Sequence, residues 1–236
     1  MGAPRVDVIR WGPERARAGP WRGDQQVAYL SPVVDAPVPS AAFVRRCLDH
    51  LAARGYRRVV TGALSPTESS GFLAAGFEIS EQLHLLAHDL SAIPEIEAPA
   101  RFRRGSRGDE AAVLEVDHRA FPPFWQLDVG GLADALAATP QTRYRIADGP
   151  GVVGYAITGR AGRRGYLQRL AVDPRRAGLG IGAALVVDGL RWLRRWRADQ
   201  AVVNTQLDNG RALALYERLG FRRQPLGLSV LSAGLA

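Results

Sequence analysis

From residue 100 onward the spacing of apolar positions changes several times, and each change marks an element. Arg101 to Arg104 reads as a short strand, and Gly108 to Ala120 as a helix with Val113, Leu114, Val116 and Ala120 on or near one apolar face. Pro122 and Pro123 make Phe121 to Trp125 irregular, because proline lacks an N–H and disfavours a helical residue before it. Leu132 to Ala138 predicts a second helix, closed by Thr139 and Pro140. Arg143 to Ala147 and Val152 to Thr158 read as strands. Gly159 to Gly165 then reads as a turn into a strand over Tyr166 to Val172, which makes an antiparallel hairpin. Ile181 to Arg195 is a strongly periodic helix, with Leu185, Leu190 and Leu193 among its apolar positions. Ala201 to Thr205 is a buried strand and Asn209 to Leu219 a helix, with Gly220 as its left-handed cap; Leu226 to Leu231 closes as a strand. The order is β-α-α-β-β-β-α-β-α-β.

The chain before residue 91 repeats the end of this series. At an offset of 144 residues Gly76-Phe77 falls on Gly220-Phe221, and Thr61 falls on Thr205. Ala41 to Arg54 stands where a counterpart of the Ile181 helix is expected, and Arg58 to Thr61 where the Ala201 strand lies. Self-similarity at one period implies a duplicated unit. Ser91 to Ala100, rich in Pro and Ala and without an aromatic, reads as a linker after the strand-like run Leu83 to Leu90. Two domains are therefore expected, residues 1–95 and residues 96–236.

Charge separates the halves. All 31 basic residues are Arg. Residues 1–98 carry 10 Arg against 11 Asp and Glu, a net of −1, whereas residues 99–236 carry 21 against 12, a net of +9. An anionic ligand of the second half explains the asymmetry; nucleic acid also fits it. The single cysteine, Cys47, excludes an internal disulfide and suits a reducing cytosol. The N-terminus has no continuous apolar run of the signal-peptide type, and no window approaches the ~18 apolar residues of a membrane span. A cytoplasmic protein without membrane contact is expected.

The chemistry lies in Leu170-Ala171-Val172-Asp173-Pro174-Arg175-Arg176-Ala177-Gly178-Leu179-Gly180-Ile181-Gly182-Ala183. A strand enters a turn carrying three glycines, and a helix follows at once. Glycine lets backbone approach an anion, and the free N–H groups and dipole of a helix start favour one. A P-loop needs Gly-Lys-Ser/Thr, and the chain has no lysine. Gly178, Gly180 and Ala183 satisfy the loose dinucleotide fingerprint, but the next strand ends in Asn204-Thr205 rather than in the acidic residue that a ribose needs. A pyrophosphate remains the expected guest.

Val172, Pro174, Gly180 and Gly182 match the pattern V-x-P-x-x-(Q/R)-x-x-G-x-(G/A), except that Ala177 stands for the Gln or Arg. Downstream, Asn209, Ala212, Leu215, Tyr216, Gly220 and Phe221 match N-x-x-A-x-x-L/F-Y-x-x-x-G-F. With both motifs in this order, residues 100–236 resemble the GNAT superfamily of N-acetyltransferases. The resemblance implies an α/β (α+β) protein with the GNAT acyl-CoA N-acyltransferase fold, a mixed and mostly antiparallel sheet flanked by helices, here preceded by a partial GNAT-like half. It implies acetyl-CoA as co-substrate, no metal, and direct attack by an amine of a small molecule or a protein N-terminus. It also implies that residues 170–172 and 175–183, by the motif, hold the cofactor with Asn209, and that Tyr216 protonates the departing thiolate. Ala177 removes only a side-chain contribution, which Arg175 or Arg176 can supply.

The strand reading Tyr166-Leu167-Gln168-Arg169-Leu170 lacks the carboxylate base that many members carry. Asp117, His118 and Asp128 lie near the loop expected to border the acceptor, each readable as a cap or a solvated group. Phe121, Phe124 and Trp125, with Asp128, are candidates for the acceptor pocket; a local hydrophobic plug is an equal reading of the three aromatics. At offset 144 Tyr216 falls on Phe72, and the glycine turn falls on the glycine-free Val33 to Val38, so the first half is expected to be catalytically inert. A non-catalytic acyl-CoA-binding regulator and a basic nucleic-acid-binding module are the alternatives, the latter disfavoured.

Overall fold

The computed structural model describes residues 7–33 and 36–235; Val34 and Asp35, in the expected counterpart of the glycine turn, lie outside them. In chain order the first elements are β1 (Asp7–Trp11), β2 (Glu14–Trp21), β3 (Asp24–Pro32), α1 (Ala41–Ala53), β4 (Arg58–Thr61), α2 (Pro66–Ala74) and β5 (Glu78–His88). There follow β6 (Arg101–Arg104), α3 (Glu110–Ala120), α4 (Val129–Ala137), β7 (Gln141–Gly149), β8 (Gly151–Ala161) and β9 (Arg164–Val172). The last are α5 (Ile181–Arg195), β10 (Gln200–Gln206), α6 (Gly210–Arg218), β11 (Arg222–Arg223) and β12 (Leu228–Gly234). The described residues fall into two compact units. One is drawn from Met1–Leu85, Asn204–Asp208 and Gln224–Ala236, the other from Leu86–Val203 and Asn209–Arg223. The units thus differ from a single cut near residue 95 by short segments passed in both directions.

In the first unit β1, β2 and β3 form an antiparallel meander, and β3 pairs with β4 in parallel through α1. The closing strand β12 lies antiparallel between β4 and β5. Leu231 of β12 thereby joins a core made of Leu30, Phe43, Val44, Cys47, Leu51, Val59, Phe72 and Phe77. Ser40 caps α1 by accepting from the Phe43 N–H at 3.2 Å. The carboxylate of Glu14 accepts from the Ser40 N–H at 2.6 Å and from its hydroxyl at 3.2 Å.

In the second unit the strand order is β10-β9-β8-β7-β6, with β9 and β10 parallel and the other pairs antiparallel. Side chains on successive strand residues point to opposite faces. Ile146, Tyr155, Ile157 and Ala171 meet Val113 and Val116 of α3 and Leu132 of α4. Ala147, Ala156, Leu170 and Val172 meet Ile181 and Leu185 of α5 on the other face. Helix α5 sits close: a Cβ at Gly189 would lie 2.6 Å from Thr158 Oγ1. Asp188 of α5 accepts from Arg143 (2.7 Å) and Arg145 (3.2 Å) of β7; burial works against its charge, but the two guanidiniums hold its carboxyl below the ordinary range.

The period of 144 residues persists at atomic detail. Helices α2 and α6 begin and end at that offset. Ser65 and Asn209 are their N-caps, each accepting from the amide three residues on. Gly76 and Gly220 follow with φ +99° and +93°, and the Phe77 and Phe221 amides donate to the carbonyls of Phe72 and Tyr216 at 3.1 and 3.0 Å.

Candidate active site

Strand β9 pairs with β10 only over Arg164, Gly165 and Tyr166. From Leu167 to Val172 its edge away from β8 has no strand partner among the described residues. The backbone groups that point along that edge are open to an extended ligand, which can pair there as a further strand would. A bulge between Ile157 and Thr158 of β8 leaves Gln168 without a register partner. This shifts the alternation of β9 just ahead of Leu170.

The turn after β9 is fixed by Asp173. Its carboxylate accepts from the Arg175 N–H at 3.0 Å, and its carbonyl accepts from the Arg176 N–H at 2.8 Å. Gly178 and Gly180 then take φ +82° and +80°, a region where an L side chain is strained. Nothing lies within 4 Å of a Cβ built at Gly178, so the ground before the helix is open. Gly180 is the N-cap of the 15-residue α5 and offers no side-chain oxygen. The first-turn amides of Ile181, Gly182 and Ala183 therefore keep their hydrogens for an external acceptor, at the positive end of the helix dipole.

The two arginines of the turn differ. Arg175 donates to Asp173 through Nε (3.0 Å) and Nη2 (2.7 Å), and Arg119 of α3 reaches the same carboxylate at 3.1 Å. These contacts hold the buried Asp173 carboxyl well below the usual range. Arg176 is exposed and has no acidic partner among the described residues, so it is the cation left to meet an anion.

Helix α6 completes the group. A Cβ at Gly182 would lie 3.6 Å from both Val172 Cγ2 and Leu215 Cδ2, which places the start of α5 between the end of β9 and α6. Asn209 spends its Oδ1 on the Ala212 amide (3.1 Å), so its Nδ2 is the end left to donate. Tyr216 lies in the core beside Phe221, ring centroids 5.6 Å apart. Burial pushes its phenol up, so the hydroxyl keeps its proton.

The acceptor-side candidates are more mixed. Phe124 and Trp125 sit half-buried on a 3₁₀ turn and meet edge to face at 5.0 Å. Asp128 caps α4 by accepting from the Gly131 amide at 2.7 Å. His118 Nε2 meets the Leu127 carbonyl at 2.7 Å. The sequence reading missed that Asp117 is fully buried and paired with Arg169 of β9. The sign was present, because Asp117 lies four residues after Val113 and one after Val116, on the apolar stripe of α3.

An uncapped helix start behind two left-handed glycines, at the end of a strand with an open edge, is matched by a family. The Acetyltransferase (GNAT) family matches residues 111–221. This segment is a GNAT acetyltransferase domain. The chain is 31% identical over 200 residues to the mycothiol acetyltransferase of Amycolatopsis mediterranei, covering 75% of this chain and 65% of that protein. With the mycothiol acetyltransferase of Saccharomonospora viridis the identity is 33% over 172 residues, covering 63% and 56%. The chain thus spans just under two thirds of the length of the one curated relative and just over half of the other. A tandem GNAT protein from the clavulanic acid biosynthesis pathway matches with a TM-score of 0.70 at 14% identity, over 99% of this chain and 84% of its own. A GCN5-related N-acetyltransferase from Sphaerobacter thermophilus gives 0.61 at 15%, over 96% and 82%. These two establish the fold, the GNAT fold around a mixed sheet with flanking helices. No helix among the described residues is long and apolar enough to cross a membrane.

Proposed function

We propose that this protein transfers the acetyl group of acetyl-CoA directly to an amine, in the cytoplasm, and that only its GNAT domain binds the cofactor. The observation that carries the reading is the uncapped start of α5 behind Gly178 and Gly180. In this reading the amides of residues 178–183 receive the pyrophosphate and Arg176 adds its charge. The open edge of β9 at Leu170 to Val172 pairs with the pantetheine arm, and an amide there stabilises the developing oxyanion. Asn209 donates to the arm, and the protonated Tyr216 gives its proton to the departing thiolate, while the proton shed by the attacking amine passes to water, which restores the phenol. Ala177 adds backbone alone. Phe124, Trp125 and Asp128 border the amine. The names of the curated relatives favour a small-molecule acceptor over a protein N-terminus.

The first half is a degenerate copy in the same reading. Its repeat of α6 carries Phe72 where the hydroxyl of Tyr216 would be. At the start of its α1 a hydroxyl and the Glu14 carboxylate already occupy donors that the cradle of α5 leaves open. Calorimetric titration with acetyl-CoA and with CoA tests the whole proposal. One site per chain in the micromolar range, abolished by Gly180→Asp, supports it. Two sites would restore the first half to function, and unchanged affinity in Gly180→Asp would displace the phosphate from this turn.

A further inference from the structure

Beneath the loop of residues 121–127 lies a buried ion pair with no part in the roles given above. Asp117 of α3 is fully buried. Its carboxylate accepts from the Leu127 amide (2.8 Å), from the Tyr155 hydroxyl, and from Nε and Nη2 of Arg169 (2.8 Å each). A carboxylate accepts at about four lone-pair positions, and all four are filled here, one pair of them by a cation. Asp117 is therefore no proton acceptor for an amine, although it is bonded to the strand that lacks a carboxylate.

What the pair holds is the loop. Arg169 Nη2 also donates to the Trp125 carbonyl at 2.7 Å, and its guanidinium lies 3.5 Å from the centre of the Phe121 ring. Leu127 is fixed through its amide by Asp117 and through its carbonyl by His118 Nε2 (2.7 Å). The Gln126 side chain donates to the carbonyls of His118 and Phe121, both at 3.0 Å. Loop residues 121, 125, 126 and 127 are thus bonded to α3, to β9 or to each other around one guanidinium. That guanidinium stands on β9 next to Leu170. The β9 bulge at Gln168 puts it there, since Gln168 reaches Thr139 after α4 (3.3 Å) while Arg169, the very next residue, reaches Asp117 on the same face.

We propose that Asp117 and Arg169 are positioning residues for the acceptor: they lock the loop bearing Phe124 and Trp125 to the strand on which the thioester lies, so that the amine's affinity depends on them and that of acetyl-CoA does not. This rests on the acetyl-transfer reading. Removing one partner strands the other's charge in the core and risks the fold. The decisive protein is therefore the double variant Asp117→Asn, Arg169→Gln, which deletes both charges yet keeps an acceptor for Leu127 and a donor for Trp125. Gln126→Ala loosens the loop from its outer side without touching the pair. Two readings are taken on folded protein: amide hydrogen exchange across residues 121–127 with acetyl-CoA bound, and kinetics on glycinamide, glucosamine and spermidine.

We expect exchange in the loop to rise at least tenfold in the double variant and less in Gln126→Ala. For whichever amine turns over, KM should rise at least tenfold and kcat change less than threefold, with the acetyl-CoA Kd within twofold of the parent. Unchanged loop exchange in the double variant overturns the proposal, as does an acetyl-CoA Kd that weakens in step with KM. If the parent protein acetylates none of the three amines, the exchange data still decide whether the lock exists, and the functional reading fails separately.

Discussion

Tyr216 shows how an environment assigns a side chain its chemistry. Its phenol is raised by burial, so across neutral pH it can donate a proton and has none to collect. Tyr216→Phe should lower kcat by about 10²–10⁴-fold, the range of general acid catalysis, with the acetyl-CoA Kd within twofold in a parallel titration. Cys47 is the opposite case: burial, and then Glu14, push its thiol up to about 12. Against an unperturbed thiol at about 8.5, a disulfide reagent at pH 8 should label the native protein on the order of 10³-fold more slowly than the urea-unfolded chain. Asp173 links stability to pH. Its folded carboxyl lies below the unfolded value of about 3.9, so its contribution is complete above that pH and is lost as pH falls toward the folded value. Asp173→Asn should therefore lower Tm at pH 7, and the gap to the parent should narrow below about pH 4. Tyr216 is singled out in the sequence by a motif, and its role stays with the proposal above. Asp117 was not legible there, because a lone acid on an apolar stripe finds its meaning only in Arg169, 52 positions away.

Elements were legible where the pattern was long or punctuated. The α5 period, the Pro-Pro break and the cap at Gly220 all stand in the structure. The meander β1 to β3 went unseen because Glu14–Trp21 buries only Ala16, Ala18 and Gly19 between arginines, a pattern too small in side chain to read as a strand. The bulge at Gln168 was equally hidden, since register is a property of two strands. The repeated helices offer a test at this scale. Ser65 caps α2 in a reciprocal box with Glu68, as Asn209 caps α6. Ser65→Ala should cost about 1 kcal/mol in urea unfolding and leave acetyl-CoA binding untouched. The same change at Asn209 should cost a similar amount and weaken binding as well, because its Nδ2 lies at the proposed site.

At the scale of the molecule, the chain's order and its compact units diverge. The period of 144 recurs in the bounds and caps of α2 and α6, but no local pattern could show that β12 belongs with β4 and β5, because any apolar closing strand looks alike until its partners are known. That placement has a consequence in time. During synthesis Thr61 leaves the ribosome roughly 170 residues before Leu228, about 10–30 s at ordinary elongation rates. Through that interval the first unit's core lacks Leu231 and its β4 and β5 lack the strand between them. Within this chain the unit that begins first is thus completed last, and until β12 emerges the facing edges of β4 and β5 offer unpaired backbone to other strands.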